Sequence, residues 1–257
     1  MSAQPSPETG MTLVEHLAEL RHRLIVCVVA VGVGMVVGFV LYDWIFDFLL
    51  APYKDVVRGD PSAGAIGENL LQTDPLEGFA VRMKTSAYAG VALAMPVILW
   101  QIWRFVTPGL YEHERRYAVP FVTSALVLFV LGATLAYFTL PRALDFLVDI
   151  GGDDLVTAFS PGKYFQMVTY MMLAFGVGFE FPIVLIFLQL AGIVEPATLR
   201  RVRRYAIVGI CILVAVITPS GDPISMLMLS APMVLFYEAA ILIGVVLLKR
   251  QAAKAGG

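Results

Sequence analysis

Charge is scarce in this 257-residue chain: 15% of its residues are Asp, Glu, Lys or Arg, while 59% are hydrophobic. A soluble globular domain carries about 25% charge. So much apolar surface with so little charge to cover it excludes a water-soluble domain and points to surface that faces lipid. The net charge of -2 gives no electrostatic case for nucleic acid. Cysteine is nearly absent. Cys27 and Cys211 each sit inside an apolar run, away from any metal-ligand spacing, and read as small buried hydrophobes. Histidine is also sparse, with only His16, His22 and His113. No HExxH, GxSxG or P-loop pattern occurs, and no intramembrane carboxylate is paired with a base, so a catalytic set is missing. No metal site or cofactor is expected. The first ten residues, MSAQPSPETG, lack the apolar core of a cleavable signal and read as a disordered N-terminal tail.

Long apolar runs are present instead. A membrane-crossing helix needs about 20 predominantly apolar residues. Six stretches meet or approach this, at residues 24–42, 85–103, 117–140, 164–193, 205–218 and 224–248. They predict an all-α polytopic membrane protein with a single membrane domain over 11–250 and a short tail at 251–257. The fifth stretch is short, and PSGDP ties it to the sixth as a tight hairpin. Orientation follows from basic residues near the helix ends. With the N-terminus inside, the inner segments hold Arg21, Arg23, Arg104, Arg115, Arg116, the Arg200–Arg204 cluster, Lys249, Arg250 and Lys254. The outer segments hold fewer basic residues, and the acids Asp55, Asp60, Glu68, Asp74, Glu77, Asp149, Asp153 and Asp154. Both termini are therefore expected in the cytoplasm. The outer connections at 51–82 and 141–163 suggest a turn-rich cap with short helices, and an amphipathic helix ending at Gly151.

Four constellations could carry function. Along VEHLAELRHRLI, leucines recur at helical spacing and Glu19 lies one turn from Arg23, the pattern of an amphipathic helix at the inner surface. That pattern also suits a helix whose charged face is merely solvated. The inner loop WRFVTPGLYEHERR sets Phe105 and Tyr111 beside Glu112, Glu114, Arg115 and Arg116. Glu180 lies near the middle of the fourth run. A charge at that depth costs at least ~2.5–3.5 kcal/mol, which makes it a functional residue by default, unless a neighbouring helix satisfies it. Pro182 follows and has no N–H for the Gly178 carbonyl, so a kink is expected there. The fourth constellation is the hairpin turn TPSGDPIS, with Thr218 at its start and Asp222 at the outer face.

HLAELRHRL, PVILWQIWRFVTPGLYEHERR, AFGVGFEFPIVL and VITPSGDPIS occur in this order on six spans. Together they resemble the TatC subunit of the twin-arginine (Sec-independent) protein translocase, over essentially the whole chain. The resemblance implies a cupped, concave six-helix bundle with short fifth and sixth helices in the bacterial inner membrane. It implies a non-enzymatic receptor for the twin-arginine signal peptides of folded cargo. Such a receptor assembles with single-span TatA- and TatB-type partners, self-associates in a larger complex, and serves export driven by the proton motive force. Residue by residue, it implies that Glu19, Arg21, Phe105, Glu114 and Arg115 form the signal-peptide site. It also implies that Glu180 and Thr218 belong to an intramembrane docking site and Pro52 to the outer cap. One position departs: where the family commonly has glutamine after the serine of the hairpin turn, this chain has Met226. A different class remains open, a proton-coupled secondary transporter of a small solute using Glu180. Such proteins usually show inverted repeats and matched broken helices, and only one span here carries a midpoint proline flanked by glycines.

Overall fold

The computed structural model describes residues 13–59, 70–72, 74–106, 118–151, 159–218 and 221–255. Among these the chain is helical throughout, with eight helices. They are α1 (Leu13–Val40), α2 (Tyr42–Gly59), α3 (Glu77–Val106), α4 (Ala118–Gly151), α5 (Pro161–Gly178), α6 (Phe181–Leu190), α7 (Pro196–Ile217) and α8 (Pro223–Ala255). Five helical segments are long and apolar enough to cross a membrane: 15–40, 77–105, 119–150, 161–190 and 223–248. α7 falls outside that set because its first turns hold Arg200, Arg201, Arg203 and Arg204, which leaves an apolar part of Tyr205–Ile217.

Several helices differ from the expected spans, each for a local reason. α1 passes into α2 through a single turn residue, Leu41, whose N–H still bonds to Val37 O at 2.9 Å. The expected turn-rich cap therefore begins as an 18-residue helix. α4 does not stop before Pro141. It runs on to Gly151, so the expected amphipathic helix is its continuation, because Leu140, Ala143 and Leu144 around the proline are buried in the main core. The fourth span bends between α5 and α6, at the kink expected before Pro182. Glu180 N bonds to Val177 O at 3.1 Å, a tighter i−3 turn, and Pro182 supplies no donor to Gly178. α8 has 33 residues, which corrects the expectation of a short sixth helix. Its apolar run passes into QAAKA without a breaker, so the helix enters the segment read as a tail.

Packing follows small residues and aromatics. α1 lies on α3 where two glycines meet: a Cβ on Gly34 would stand 2.6 Å from Gly90 O, and one on Gly90 2.6 Å from Met35 N. Only glycine permits this approach, the usual way that helices associate in lipid. The central core joins α2, α4, α5, α7 and α8 through Leu49, Leu140, Leu144, Phe165, Met171, Phe175, Val214, Leu229 and Tyr237. Away from its α3 seam, α1 leaves Val28, Val29, Val33, Val36 and Val40 exposed, as expected of a helix facing lipid.

α2 is fastened by two tyrosine hydroxyls. Pro52 cannot donate to the carbonyl of Phe48, four residues before it. The Tyr137 hydroxyl of α4 donates to that carbonyl instead, at 3.1 Å. Tyr164 of α5 donates to Leu49 O at 2.7 Å. Removing the Tyr137 hydroxyl should cost about 1 kcal/mol. The cost should shrink by half or more in a Pro52→Ala background, where Ala supplies the missing N–H. A double-mutant cycle on thermal unfolding measures this coupling. Equal losses of Tyr137→Phe in both backgrounds would show that the proline and the tyrosine are unrelated.

Candidate functional site

The amphipathic start of α1 and the end of α3 meet at one end of the bundle. Glu19 Oε1 is paired with Arg23, one turn on along the same helix. Arg23 Nη1 in turn donates to Gln101 Oε1 of α3 at 3.3 Å. A second contact lies beside it: the His16 and Phe105 rings stack with centroids 4.5 Å apart and planes at 27°. The two sequence motifs are thus brought together by Arg23–Gln101 and His16–Phe105. Arg23 and Glu19 are mostly enclosed, at 13% and 18% side-chain exposure. Glu19 Oε2 has no hydrogen-bond partner, so the carboxylate holds one guanidinium and has acceptor capacity to spare. Arg21 is exposed on the same helix. Glu114 and Arg115 lie outside the described residues. The chain returns at Ala118, at the same end of the bundle.

Glu180 stands at the break between α5 and α6, as the residue preceding α6, with no side-chain capping bond. It is 9% exposed, and its Oε1 has no hydrogen-bond partner. Among the described residues no neighbouring helix donates to that oxygen. Glu238, the other acid within a span, pairs with Arg203 of α7. Phe179, beside Glu180, packs edge-on against Phe236 of α8 at 5.0 Å.

The remaining predicted residues have local structural work. Thr218 is 5% exposed and turns its hydroxyl back to Val214 O at 2.9 Å, capping the end of α7. Asp222 is 2% exposed, and its Oδ1 accepts from Ser225 N at 2.6 Å, an N-cap for α8. Asp222 is thus buried at the start of a helix, within the hairpin turn. Ser225 donates its hydroxyl to Met171 Sδ at 3.8 Å. Met226 packs against the core, so the hairpin end of α8 is apolar where a glutamine would be polar. Pro52 is buried in α2 beside Tyr53, which meets Phe159 edge-on at 5.8 Å and Tyr164 at 5.4 Å. Burial pushes the Tyr53 hydroxyl pKa up, which keeps it neutral.

Sequence reasoning missed Gln101, the His16–Phe105 stack, and Gln189, whose buried amide donates to Ala240 O at 3.0 Å and binds α6 to α8. A lone glutamine within an apolar run was the available signal for Gln101 and Gln189, since a polar group there requires a partner.

The fold and these sites define a multi-pass, all-helical membrane protein with a polar cluster at one end and a buried acid within the bundle. A family profile described as Sec-independent protein translocase protein (TatC) matches residues 15–232. The chain belongs to this TatC family. It is 43% identical to the Sec-independent protein translocase protein TatC of Frankia casuarinae, over 92% of this chain and 66% of that one. It is 37% identical to the Aquifex aeolicus protein of the same name, over 91% of this chain and 95% of that one. A crystal structure titled as the twin-arginine translocase receptor TatC superposes with a TM-score of 0.75 at 36% identity, covering 90% of this chain and 99% of that chain. The chain spans about two-thirds of the length of the Frankia relative and 62% of that of Corynebacterium kroppenstedtii.

Proposed function

We propose that this protein is the receptor and scaffold of a twin-arginine translocase. It would bind the twin-arginine signal peptides of folded cargo at the cytoplasmic face of the bacterial inner membrane. Glu19, Arg21, Phe105, Glu114 and Arg115 form the recognition surface. Glu180 and Thr218 belong to the face that single-span TatA- and TatB-type partners meet. Six spans with both termini inside, self-association, and export driven by the proton motive force complete the reading. The observation that carries it is the mostly enclosed carboxylate of Glu19. It already holds one guanidinium, that of Arg23, beside the Phe105 ring. A site built to hold one guanidinium suits another by the same chemistry, since the planar fork pairs bidentately with carboxylate and a lysine ammonium does not.

Binding is then an exchange. The incoming arginine takes Glu19, and Arg23 keeps Gln101. Glu114 takes the second arginine, and Phe105 packs the apolar residues that follow the pair. The experiment is a titration of the purified protein with a labelled signal peptide carrying Arg-Arg or Lys-Lys. Loss of one charge-assisted bidentate contact should weaken the Lys-Lys peptide roughly 10–100-fold. Equal affinity for the two peptides would remove the basis of the reading. The transporter alternative gains nothing from the helix break at Glu180, because the other long spans run on without a matching interruption among the described residues.

A further inference from the structure

One feature unused by this reading is a cavity of about 260 Å³ toward the other end of the bundle. Its walls come from the α1–α2 junction, α3, α4 and α5. Leu41, Trp44, Phe48, Leu93, Phe129 and Ala133 are representative, and Thr85 and Thr169 supply the only hydroxyls besides Tyr88. Trp44, 70% exposed, stands at the open side, so the cavity opens laterally to lipid. It is too small for a partner helix. A helix with its side chains is about 10–12 Å across, so about 260 Å³ holds roughly half a turn. A slender, flexible apolar chain fits.

The rim is cationic. Arg82 precedes Thr85 by one turn on α3. Its guanidinium carbon lies 4.5 Å from the Phe39 ring centroid and 4.8 Å from that of Tyr42. Those two rings flank Leu41, a wall residue, which sets Arg82 beside that wall. Nη2 donates to Phe39 O at 3.4 Å. No acid pairs with Arg82 among the described residues, and Asp43, beside Tyr42, is exposed. Two aromatic faces thus hold a guanidinium with no acid partner among the described residues, beside the wall of an apolar slot.

We propose that this cavity is a binding site for one acyl chain of an anionic phospholipid, with the lipid phosphate against Arg82. The aromatic clamp fixes the guanidinium plane, and the phosphate supplies an anion that no described residue provides. The Thr85 hydroxyl, which has no hydrogen-bond partner, lies in the wall, where an ester carbonyl can accept from it. This site is independent of signal-peptide recognition, which sits at the opposite end of α3.

Native mass spectrometry of the purified protein with phosphatidylglycerol and phosphatidylcholine tests it. The wild type should retain phosphatidylglycerol about fivefold better, the worth of one arginine–lipid contact. Arg82→Gln should bring the two lipids close to parity, while Arg142→Gln, an exposed basic residue on α4, should leave the preference intact. Ala133→Trp, or Ala92→Trp at the exposed side of the slot, should lower retention of both lipids. Thermal melting and signal-peptide binding report whether each variant is folded. Glycerophosphoglycerol, the headgroup without chains, should not compete. The proposal is overturned if Arg82→Gln keeps the preference, if Arg142→Gln loses it equally, or if folded Trp variants retain lipid as the wild type does. Competition by the bare headgroup, or by a single-span partner peptide, would also overturn it, as an anion site or a helix site respectively.

Discussion

Glu19→Gln should weaken binding of a twin-arginine peptide roughly 10–100-fold, and Glu114→Lys should abolish it, with both proteins still folded. The first figure follows from losing a hydrogen bond to a charged group, worth about 1.5–3 kcal/mol. The second is larger because reversal replaces attraction with repulsion at close range in a partly dehydrated site. Arg23 supplies the informative control. It holds one oxygen of the Glu19 carboxylate in the free protein, so a guest arginine competes with it for that group. Arg23→Gln removes that competitor and should leave affinity unchanged or tighter. A loss matching that of Glu19→Gln would mean that Arg23 builds the site, and the exchange picture would be wrong. Isothermal titration with the labelled peptide, beside a melting curve for each variant, decides among these outcomes.

Glu180→Ala should reduce co-purification of single-span partners by roughly 3–30-fold and impair export, while leaving twin-arginine peptide binding intact. That range corresponds to one interhelical hydrogen bond within a bilayer, about 0.6–2 kcal/mol. The expectation rests on a buried carboxyl whose Oε1 has no partner at a helix break. A polar residue on a partner's membrane helix would satisfy it. Glu180→Gln keeps the hydrogen-bonding shape and should retain part of the assembly if the contact is a hydrogen bond, and little if a charge is needed. If Glu180→Ala abolishes peptide binding as Glu114→Lys does, the two sites are one and the division of labour fails.

The helices were legible in the sequence because lipid demands long apolar runs. Pro182 was legible because a missing N–H has a local consequence. Pro141 misled for the same reason: its helix continues because Leu140, Ala143 and Leu144 are buried in the core, and core packing is invisible in a local window. Glu19 and Phe105 could be named from their motifs. What joins them could not, because Arg23 reaches Gln101 across 78 residues. Arg82 read only as one more outer charge, and its role depends on two rings from α1 and α2 that no periodicity places beside it. Asp222 could be placed in the hairpin turn, but not its role there, where it caps the first turn of α8.

The tyrosine fastenings of α2 also set a schedule. Leu49 must wait for a hydroxyl 115 residues further along the chain. At a synthesis rate of about 5–20 residues per second, that is roughly 6–23 seconds. For that interval the segment after the first span is made but not locked. Its final position is fixed only when α5, the helix that leads into Glu180, has joined the bundle, so the outer cap closes late in biogenesis, as the segment carrying the intramembrane acid arrives.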